Sequence, residues 1–372
     1  MKDKKKVIVV FGTRPEAIKM CPLIKQIKKS TGLECSVCLT GQHREMLKQV
    51  MDVFEIEADY NLDIMRPNQT LSSITIDILN NLGDIIRKEQ PDLILVHGDT
   101  TTSFAAGLAG FYEGVPIGHV EAGLRTYNIR SPYPEEFNRQ AVDLIADLYF
   151  APTCNSKENL LREGKKEDHI YITGNTVIDA LSITVKEGYE NENLDWAKGS
   201  RLILVTAHRR ENLGEPMHNM FRAIRRIVED FDDVKVIYPL HMNPKVRKVA
   251  NEELGNHNQI RLIEPLDVLD FHNFMAKSYL ILTDSGGIQE EAPALGKPVL
   301  VMRDTTERPE GIEAGTLKLV GTTEETIYDS AKELLTNQIV YEGMSKSANP
   351  YGDGHASERI IAAIESYFKG VQ

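Results

Sequence analysis

The feature that most constrains the fold of this chain is a repeated alternation of short apolar runs with segments of helical periodicity. Each run is rich in β-branched residues and is followed by a polar or glycine-containing turn before the helical pattern begins. Continuous apolar strands are typical of parallel sheets that helices cover on both faces. The pattern therefore predicts an α/β fold built on doubly wound parallel sheets.

The apolar runs fall into two series, and each series is long enough to form a sheet. The first series consists of Val7–Val10, Cys35–Leu39, Leu93–His97, Ile117–Glu121, Leu148–Ala151 and Ile170–Thr173. The second series consists of Leu202–Ala207, Val234–Leu240, Ile260–Glu264, Leu280–Thr283, Val299–Met302 and Leu317–Val320. A polar stretch, Glu187–Ser200, separates them and is the best candidate for a linker.

Two domains also follow from the length of the chain. A chain of 372 residues is long for one hydrophobic core and suits two cores of ordinary size. The predicted domains are residues 1–186 and 187–354. The segment Ser357–Phe368 predicts an amphipathic helix, and the sequence leaves open whether the C-terminal residues 355–372 pack on the first domain.

Composition and charge exclude several classes of protein. Hydrophobic residues make up 41% and charged residues 26% of the chain, as in globular proteins. No apolar stretch is long enough for a signal peptide or a membrane span, which predicts a cytoplasmic protein. A net charge of −12 argues against binding to nucleic acid or to an anionic membrane. An anionic small molecule would therefore need a local cluster of cationic side chains.

The cysteines predict neither a disulfide nor a metal site. Cys35 and Cys38 have a redox or metal spacing, but they lie in a strand-like run, where residues three apart point to opposite faces. Cys21 and Cys154 lie in unlike contexts, and no second Cys/His pair completes a zinc set. Buried, reduced thiols are therefore expected, as in a cytoplasmic protein.

Ligands of open α/β sheets bind at the carboxyl ends of the strands. With two such sheets facing across a cleft, the loops that follow the strands are the places to look for functional residues. The unusual polar motifs of this chain lie in those loops.

The loop after the first run contains the motif GTRPEAIK. Gly12 allows a tight turn, and Arg14 and Lys19 bring two cations to the start of a helix. A cation in the first helical turn opposes the macrodipole, which favours anion binding by Arg14 over a solvated surface arginine. The dinucleotide fingerprint GxGxxG is absent from the chain, so no NAD cofactor is predicted.

Three further loops of the first domain supply carboxylates. Asp99 follows the run that ends at His97, where it is a candidate catalytic acid or simply a helix N-cap. Glu121 ends an apolar run, where a lone acid is a poor strand former and costly to bury. Glu135 and Glu136 begin a helix, where acids are common structural features, so one of the two is expected to be structural. Together the three sites favour a catalytic role.

Basic and glycine-rich motifs follow the strands of the second domain. His208 is followed by two arginines at the end of a run, an arrangement suited to phosphate oxygens. The turn Ser285–Gly287 leads from a strand into a helix, where backbone N–H groups form a site for an anion. Glu290 and Glu291 would repel a phosphate that they faced; the alternative is that one of them accepts hydrogen bonds from ribose hydroxyls. Arg308 brings a further cation.

Taken together, these motifs resemble those of the non-hydrolysing UDP-N-acetylglucosamine 2-epimerases. The resemblance rests on GTRPEAIKM, HGDTTTS, HVEAGLRT, PYPEEFNR, TAHRREN and LTDSGGIQEEAPALGKPVLVMRDTTERPE, and on the spacing between them. It runs from the first strand to about Gly321. It implies the GT-B fold with two Rossmann-like domains, and the interconversion of UDP-GlcNAc and UDP-ManNAc, which supplies N-acetylmannosamine units for surface polysaccharides.

The resemblance also implies roles for individual residues. The implied catalytic residues are Asp99, Glu121, Glu135 and His208. The implied UDP contacts are Arg14, Lys19, Phe271, Ser285, Gly286, Gly287, Glu291 and Arg308. Some relatives are activated by a second UDP-GlcNAc, and the matching allosteric residues here are Gln42, His43, Arg66, Arg209 and His241. Many relatives have a polar residue in the loop before Phe271, where this chain has Leu266. A leucine side chain cannot form a hydrogen bond to the uracil, whereas a contact through the backbone would be kept. The family is commonly dimeric, which predicts a homodimer; no cofactor and no metal are implied.

The chemistry of C2 favours one mechanism. The C2 proton is not acidic, and transient oxidation by NAD is disfavoured because the dinucleotide fingerprint is missing. The resemblance implies loss of UDP from C1 with removal of the C2 proton, which gives a 2-acetamidoglucal, and re-addition with protonation on the opposite face. Carboxylates would move the protons, and cations would stabilise the departing pyrophosphate. A hydrolysing 2-epimerase, a GT-B glycosyltransferase and a non-catalytic nucleotide-sugar sensor stay open as alternatives.

Overall fold

The computed structural model describes residues 4–41, 44–66 and 68–370, without the side chains of residues 44–46. The chain divides into two compact units: unit 1 is Met1–Ile183 with Tyr351–Gln372, and unit 2 is Thr184–Pro350. Unit 1 contains a seven-stranded sheet and unit 2 a six-stranded sheet, and the neighbouring strands of each run parallel. The predicted α/β class with doubly wound parallel sheets is confirmed.

Unit 1 has the strand order β3-β2-β1-β4-β5-β6-β7. Its strands are β1 (Lys5–Phe11), β2 (Leu33–Leu39), β3 (Tyr60–Asn61), β4 (Leu93–His97), β5 (Ile117–Val120), β6 (Leu148–Ala151) and β7 (Ile170–Ile172). Its helices are α1 (Arg14–Lys29), α2 (Arg44–Val53), α3 (Leu71–Glu89), α4 (Thr101–Tyr112), α5 (Glu135–Ile145), α6 (Cys154–Arg162) and α7 (Thr176–Thr184), whose last residue belongs to unit 2. The helix α16 (Ala356–Gly370) also belongs to this unit.

Unit 2 has the strand order β10-β9-β8-β11-β12-β13. Its strands are β8 (Arg201–Thr206), β9 (Val234–Pro239), β10 (Ile260–Ile263), β11 (Leu280–Thr283), β12 (Val299–Val301) and β13 (Leu317–Leu319). Its helices are α8 (Glu192–Ala197), α9 (Glu215–Asp230), α10 (Pro244–Leu254), α11 (Val268–Lys277), α12 (Ile288–Ala294), α13 (Pro309–Glu313), α14 (Glu324–Thr336) and α15 (Gln338–Ser345).

Each sheet is buried because its strands carry apolar side chains on both faces. In unit 1, Ile8 and Val10 of β1 pack into one core with Ile78 and Leu82 of α3. In unit 2, β-strand and helix residues such as Val205, Phe221 and Tyr238 form an equivalent core. The two sheets therefore provide rigid platforms whose strand ends hold the loops described below.

In each sheet the strand order reverses at one point. In unit 1 the reversal lies between β1 and β4, and in unit 2 it lies between β8 and β11. At such a point the loops that follow the two adjacent strands lead away to opposite sides of the sheet, which leaves a crevice where ligands of α/β proteins bind. The loops that begin at Gly12, Gly98, Ala207 and Asp284 occupy these places.

Four details differ from the sequence-based expectations. The stretch predicted as a linker, Glu187–Ser200, lies within unit 2 and contains α8. The strand β3 was not predicted, because two residues paired with Cys38 and Leu39 carry no apolar pattern. The strand predicted as Ile117–Glu121 ends at Val120, since Glu121 has a left-handed backbone with φ of 67°. The four cysteines are free thiols, but Cys35 is only half-buried and Cys154 is exposed.

The C-terminal helix α16 packs against α1 at the start of the chain. Ser30 at the end of α1 donates a hydrogen bond of 2.8 Å to Glu365 of α16. At the other end of α16, the carboxylate of Asp179 accepts hydrogen bonds from the backbone N–H groups of Ala356 and Ser357, at 3.1 and 2.7 Å. Both ends of the chain therefore contribute to unit 1.

Among the helices that the structure describes, none combines the length and hydropathy needed to cross a membrane. Within the same described residues, no group of three or more His, Cys, Asp and Glu side chains has an arrangement suited to a metal ion.

Candidate functional site

The first residue that organises the site in unit 1 is Glu16, which lies in α1 and is 2% exposed. Its Oε2 accepts hydrogen bonds from the backbone N–H groups of Gly12 and Thr13, at 3.0 and 2.7 Å. Its Oε1 accepts hydrogen bonds from the hydroxyls of Thr100 and Ser103, at 2.6 and 3.1 Å. One buried carboxylate thus fixes the start of α1 against the start of α4, where the sheet order reverses.

The two cations predicted in the first loop have different surroundings. Arg14 is the first residue of α1 and is half-buried. Lys19, one turn further along, forms an ion pair with the carboxylate of Glu121. The resemblance implies that both side chains contact UDP. In the structure, the side chain of Lys19 instead contacts Glu121, a candidate catalytic acid.

Glu121 is the most constrained of the candidate acids. It is 9% exposed, and its φ of 67° lies in the left-handed region that residues other than glycine seldom adopt. Asn175, which is buried, donates a hydrogen bond of 2.8 Å to Oε1 of Glu121. A Cβ atom at Gly98 would lie 3.1 Å from Oε2, so the glycine at the neighbouring strand end leaves room for this carboxylate. Glu121 therefore has a strained backbone conformation, while its carboxylate is held by Asn175 and has room beside Gly98.

His97 lies on the other side of the same carboxylate. Its Nε2 is buried and is 3.7 Å from Oε2 of Glu121. Burial lowers the pKa of His97 to about 4, although Glu121 acts in the opposite direction. A neutral imidazole is therefore expected beside Glu121 at neutral pH.

Asp99 is held by residues of α5. Nη2 of Arg139 lies 2.5 Å from Oδ2 of Asp99, and Asn138 donates a hydrogen bond of 2.9 Å to the Asp99 carbonyl. The alternative that Asp99 is a helix N-cap is wrong: the N-cap of α4 is Thr100, whose hydroxyl accepts a hydrogen bond from the N–H of Ser103. The Asp99 carboxylate thus has no capping role.

Of the two adjacent glutamates, Glu136 is the structural one. It is fully buried and accepts hydrogen bonds from the Tyr127 N–H, from Gln140 and from Arg139, at 2.9, 2.9 and 3.1 Å. Burial alone would raise the pKa of Glu136, but these hydrogen bonds outweigh it and the pKa is lowered. Glu135 is the first residue of α5 and is half-buried.

A second buried network, which was not predicted from the sequence, connects β5 with α5. The fully buried Asp143 lies 2.6 Å from Nδ1 of His119 and accepts a hydrogen bond of 2.7 Å from Arg125. Burial raises the pKa of Asp143, but His119 and Arg125 outweigh this effect and the pKa is lowered. Nε2 of His119 lies 2.8 Å from the carbonyl of Gly98. The network therefore connects α5 to the residue that precedes Asp99.

In unit 2 the corresponding organising residue is Asp284, which follows β11 and is completely buried. Its Oδ2 accepts hydrogen bonds from the backbone N–H groups of His208 and Arg209, at 2.9 and 2.8 Å, and from the side chain of Asn212 at 3.1 Å. The loop after β8 is thereby fixed to the loop after β11. This arrangement corresponds to the role of Glu16 in unit 1.

The side chains of that loop are packed around Asp284. The ring of His208 stacks on the ring of His241, with 5.2 Å between centroids and 12° between planes. Burial lowers the pKa of His208, whereas Asp284 acts to raise it. Nε of Arg209 donates a hydrogen bond of 3.2 Å to the Asp284 carbonyl, and a Cβ at Gly286 would lie 3.5 Å from its guanidinium. Arg209 thus lies beside the predicted anion-binding turn.

The remaining predicted UDP contacts lie on both sides of α12. Ser285 and Gly286 are half-buried, Gly287 is exposed, and the helix begins at the next residue. Arg308 forms an ion pair with Glu290, which is 2% exposed.

Of the two glutamates at the start of α12, Glu291 keeps the more accessible carboxylate. It is 15% exposed and lies 3.5 Å from Nε2 of His272. Phe271, the neighbour of His272 in α11, is half-buried. Glu291 is therefore the better placed of the pair to meet a ligand.

The residues implied for an allosteric ligand are described only in part. Gln42 and His43 lie outside the described residues. Arg66, in unit 1, forms an ion pair of 3.2 Å with Asp77, whereas Arg209 and His241 belong to unit 2. The allosteric site stays a prediction.

Comparisons with known proteins agree on one family. A family model described as UDP-N-acetylglucosamine 2-epimerase matches residues 25–365. The UDP-N-acetylglucosamine 2-epimerase of Bacillus subtilis (strain 168) is 60% identical over 361 residues, which cover 97% of this chain and 95% of that relative.

Solved structures give the same result. A co-structure of S. aureus MnaA with UDP has a TM-score of 0.89 and 56% identity, covering 98% of this chain and 97% of that one. The UDP-GlcNAc 2-epimerase of Neisseria meningitidis bound to UDP-GlcNAc has a TM-score of 0.88 and 49% identity, covering 97% of this chain and 100% of that one.

Proposed function

The chain belongs to the UDP-N-acetylglucosamine 2-epimerase family, as its motifs predicted, and on this premise we propose that it inverts C2 of UDP-GlcNAc to give UDP-ManNAc. The observation that carries the proposal is the environment of Glu121. This acid has a left-handed backbone and is held by Lys19 and Asn175 at the end of an apolar strand. Strained backbones of this kind are retained mainly where function requires them.

The proposed reaction begins with an elimination. A carboxylate removes the proton from C2, the C1–C2 double bond forms, and the bond between C1 and the pyrophosphate oxygen breaks with its electron pair leaving on UDP. The product is a 2-acetamidoglucal together with UDP. Asp99, Glu121 and Glu135 are the groups to which we assign the proton transfers, and His208 assists the departing phosphate.

The second half of the reaction reverses these steps on the other face of the sugar. An oxygen of UDP attacks C1, and an acid delivers a proton to the opposite face of C2. No net oxidation occurs, so the reaction requires no redox cofactor. UDP must stay bound meanwhile, and we assign its retention to Arg14, Lys19, Phe271, Ser285, Gly286, Gly287, Glu291 and Arg308.

Two of these cations have carboxylate partners in the structure, Lys19 with Glu121 and Arg308 with Glu290. In the proposed reaction the pyrophosphate competes with these carboxylates for the cations. UDP-ManNAc would supply N-acetylmannosamine units for surface polysaccharides. The homodimer and the activating UDP-GlcNAc site are further predictions of the resemblance.

The test is incubation of the chain with UDP-GlcNAc in D2O, followed by proton NMR. The expected result is a UDP-ManNAc signal together with deuterium at C2 of both nucleotide sugars, because the transferred proton exchanges with solvent. Free ManNAc with UDP would indicate a hydrolysing enzyme, a requirement for an acceptor would indicate a glycosyltransferase, and no reaction would indicate a sensor. Each of these three results overturns the proposal.

The assignment of the acids is tested with the same assay. Asp99→Asn and Glu121→Gln are each expected to lower turnover by about 10²–10⁴-fold, the usual contribution of a general acid or base. Glu167→Gln is the matched control, since its side chain is 72% exposed and pairs only with Lys157 among the described residues. Near-normal turnover in both acid variants would show that the proton transfers are assigned wrongly.

A further inference from the structure

The carboxylate of Asp284 has two oxygens with very different surroundings. Oδ2 accepts three hydrogen bonds, from the N–H groups of His208 and Arg209 and from Asn212. Oδ1 is equally buried, yet no donor of the described residues makes a hydrogen bond to it. Leaving a buried carboxylate oxygen without a donor is costly, so this oxygen is expected to have a partner in the working enzyme.

The nearest candidate for that partner is the ring of His208. Its Nδ1 lies 3.5 Å from Oδ1 of Asp284, at the outer limit of a hydrogen bond. Catalytic hydrogen bonds are often long before substrate binds and shorten in the complex. A small rotation of the imidazole would bring the two atoms into a normal hydrogen bond.

The plane of the same ring is already restricted. His241 stacks on it at 5.2 Å, nearly parallel, so the ring cannot turn over without leaving this stack. The backbone N–H of His208 is bonded to the other oxygen of Asp284, which also fixes the position of the residue. The stack and the backbone hydrogen bond therefore restrict the ring, and in this position its Nδ1 edge faces Asp284.

We propose that Asp284 is a positioning residue that accepts a hydrogen bond from Nδ1–H of His208 and so leaves Nε2 to face the diphosphate of the substrate. The inference rests on the proposed function, because it assumes that His208 assists the departing phosphate. When the diphosphate is bound, the ring takes one proton from solvent. Nδ1–H then donates to Asp284 while Nε2–H donates to a phosphate oxygen. Asp284 stabilises this cationic ring without contacting the substrate.

The first test is the tautomer of His208 in the unmodified chain. Histidine is labelled with ¹⁵N, and a long-range ¹H–¹⁵N spectrum is recorded at about pH 8, where exposed histidines are neutral. The His208 signal is identified by its loss in His208→Gln. We expect the tautomer that carries the proton on Nδ1, and conversion to the doubly protonated ring when UDP is added. A neutral ring with the proton on Nε2 would overturn the proposal.

The second test is Asp284→Asn. Asparagine keeps an oxygen for the two backbone N–H groups, but its amide donates to Nδ1 instead of accepting from it. We expect the His208 proton to move to Nε2 and kcat to fall on the order of 10²-fold or more, with KM changed by only a few-fold. Asp329→Asn, an exposed residue of α14, is the matched control and should change neither. An unchanged tautomer in Asp284→Asn would overturn the proposal.

These experiments separate the inference from the proposed function. If His208→Gln turns over normally, the proposed role of His208 in the reaction is wrong, whatever its tautomer. If His208→Gln is inactive but the tautomer does not depend on Asp284, the positioning role is wrong and the proposed function stands. The wild-type spectrum decides the matter even if Asp284→Asn fails to fold.

Discussion

His97 illustrates how folding changes the protonation of a single residue in unit 1. The side chain lies at the end of β4, is 4% exposed in the folded chain and faces Glu121. Burial lowers its pKa from 6.5 to about 4, since the charged ring would lose its hydration. The unfolded chain therefore binds more protons than the folded chain between about pH 4 and pH 6.5.

The pH dependence of stability follows from this difference. Above pH 6.5 the ring is neutral in both states, so its protonation does not change the free energy of unfolding. As the pH falls from 6.5 towards 4, only the unfolded state gains a proton, so the folded state loses stability. We expect His97→Gln to flatten the fall in unfolding free energy by about 1 kcal/mol per pH unit in this window. Urea unfolding at a series of pH values measures the slope. His355→Asn, an exposed histidine, should leave it unchanged, and equal slopes in His97→Gln and the wild type would contradict the account.

Individual residues also show what local sequence can predict about the site. Glu121 could be selected because an acid at the end of an apolar run is unusual wherever the chain goes afterwards. Its partners could not be selected from the sequence, because Lys19 is 102 positions away from Glu121 and Asn175 is 54 positions away. They meet because β1, β4 and β5 are adjacent in the sheet and β7 is close by, and that order is a property of the fold.

At the scale of elements, the starts of α1 and α4 depend on one another through Glu16. Thr13 and Glu16 form a capping box, a pattern visible in the sequence as Thr-x-x-Glu. The hydroxyls of Thr100 and Ser103, which donate to the same carboxylate, extend the cap to a second helix. No local pattern predicts this extension.

Substitutions of Glu16 should separate its two sets of bonds. Glu16→Leu leaves the buried N–H groups of Gly12 and Thr13 without an acceptor, which should cost about 2–4 kcal/mol of stability. Glu16→Gln keeps an acceptor for them, and the two hydroxyls can reverse their direction, so its cost should be about 1 kcal/mol or less. Urea unfolding followed by circular dichroism gives both values. Glu365→Leu loses one half-buried hydrogen bond and is the control. If Glu16→Leu lost no more stability than Glu365→Leu, the proposed role of Glu16 in capping the two helices would be contradicted.

The whole molecule shows where sequence patterns lose their predictive power. The apolar runs located nearly every strand, because burial on both faces demands apolar side chains regardless of strand order. The two-residue strand β3 was not predicted, since it has too few residues to form a pattern. The destination of α16 was also left open: an amphipathic helix must bury its apolar face, but its sequence does not specify the surface that covers it.

The contacts of α16 make a prediction about unit 1, which is assembled from both ends of the chain. Ile364 of α16 is completely buried, and Ile364→Ala should destabilise the unit by about 2–4 kcal/mol through lost burial and the cavity that remains. Peptide-resolved hydrogen exchange should then show faster exchange in α1, which packs against α16 although more than three hundred residues separate Ser30 from Glu365. Ile339→Ala, whose side chain is 85% exposed in α15, should leave exchange in α1 unchanged. Unchanged exchange in Ile364→Ala would mean that the N-terminal part of unit 1 does not depend on the C-terminal helix for its stability.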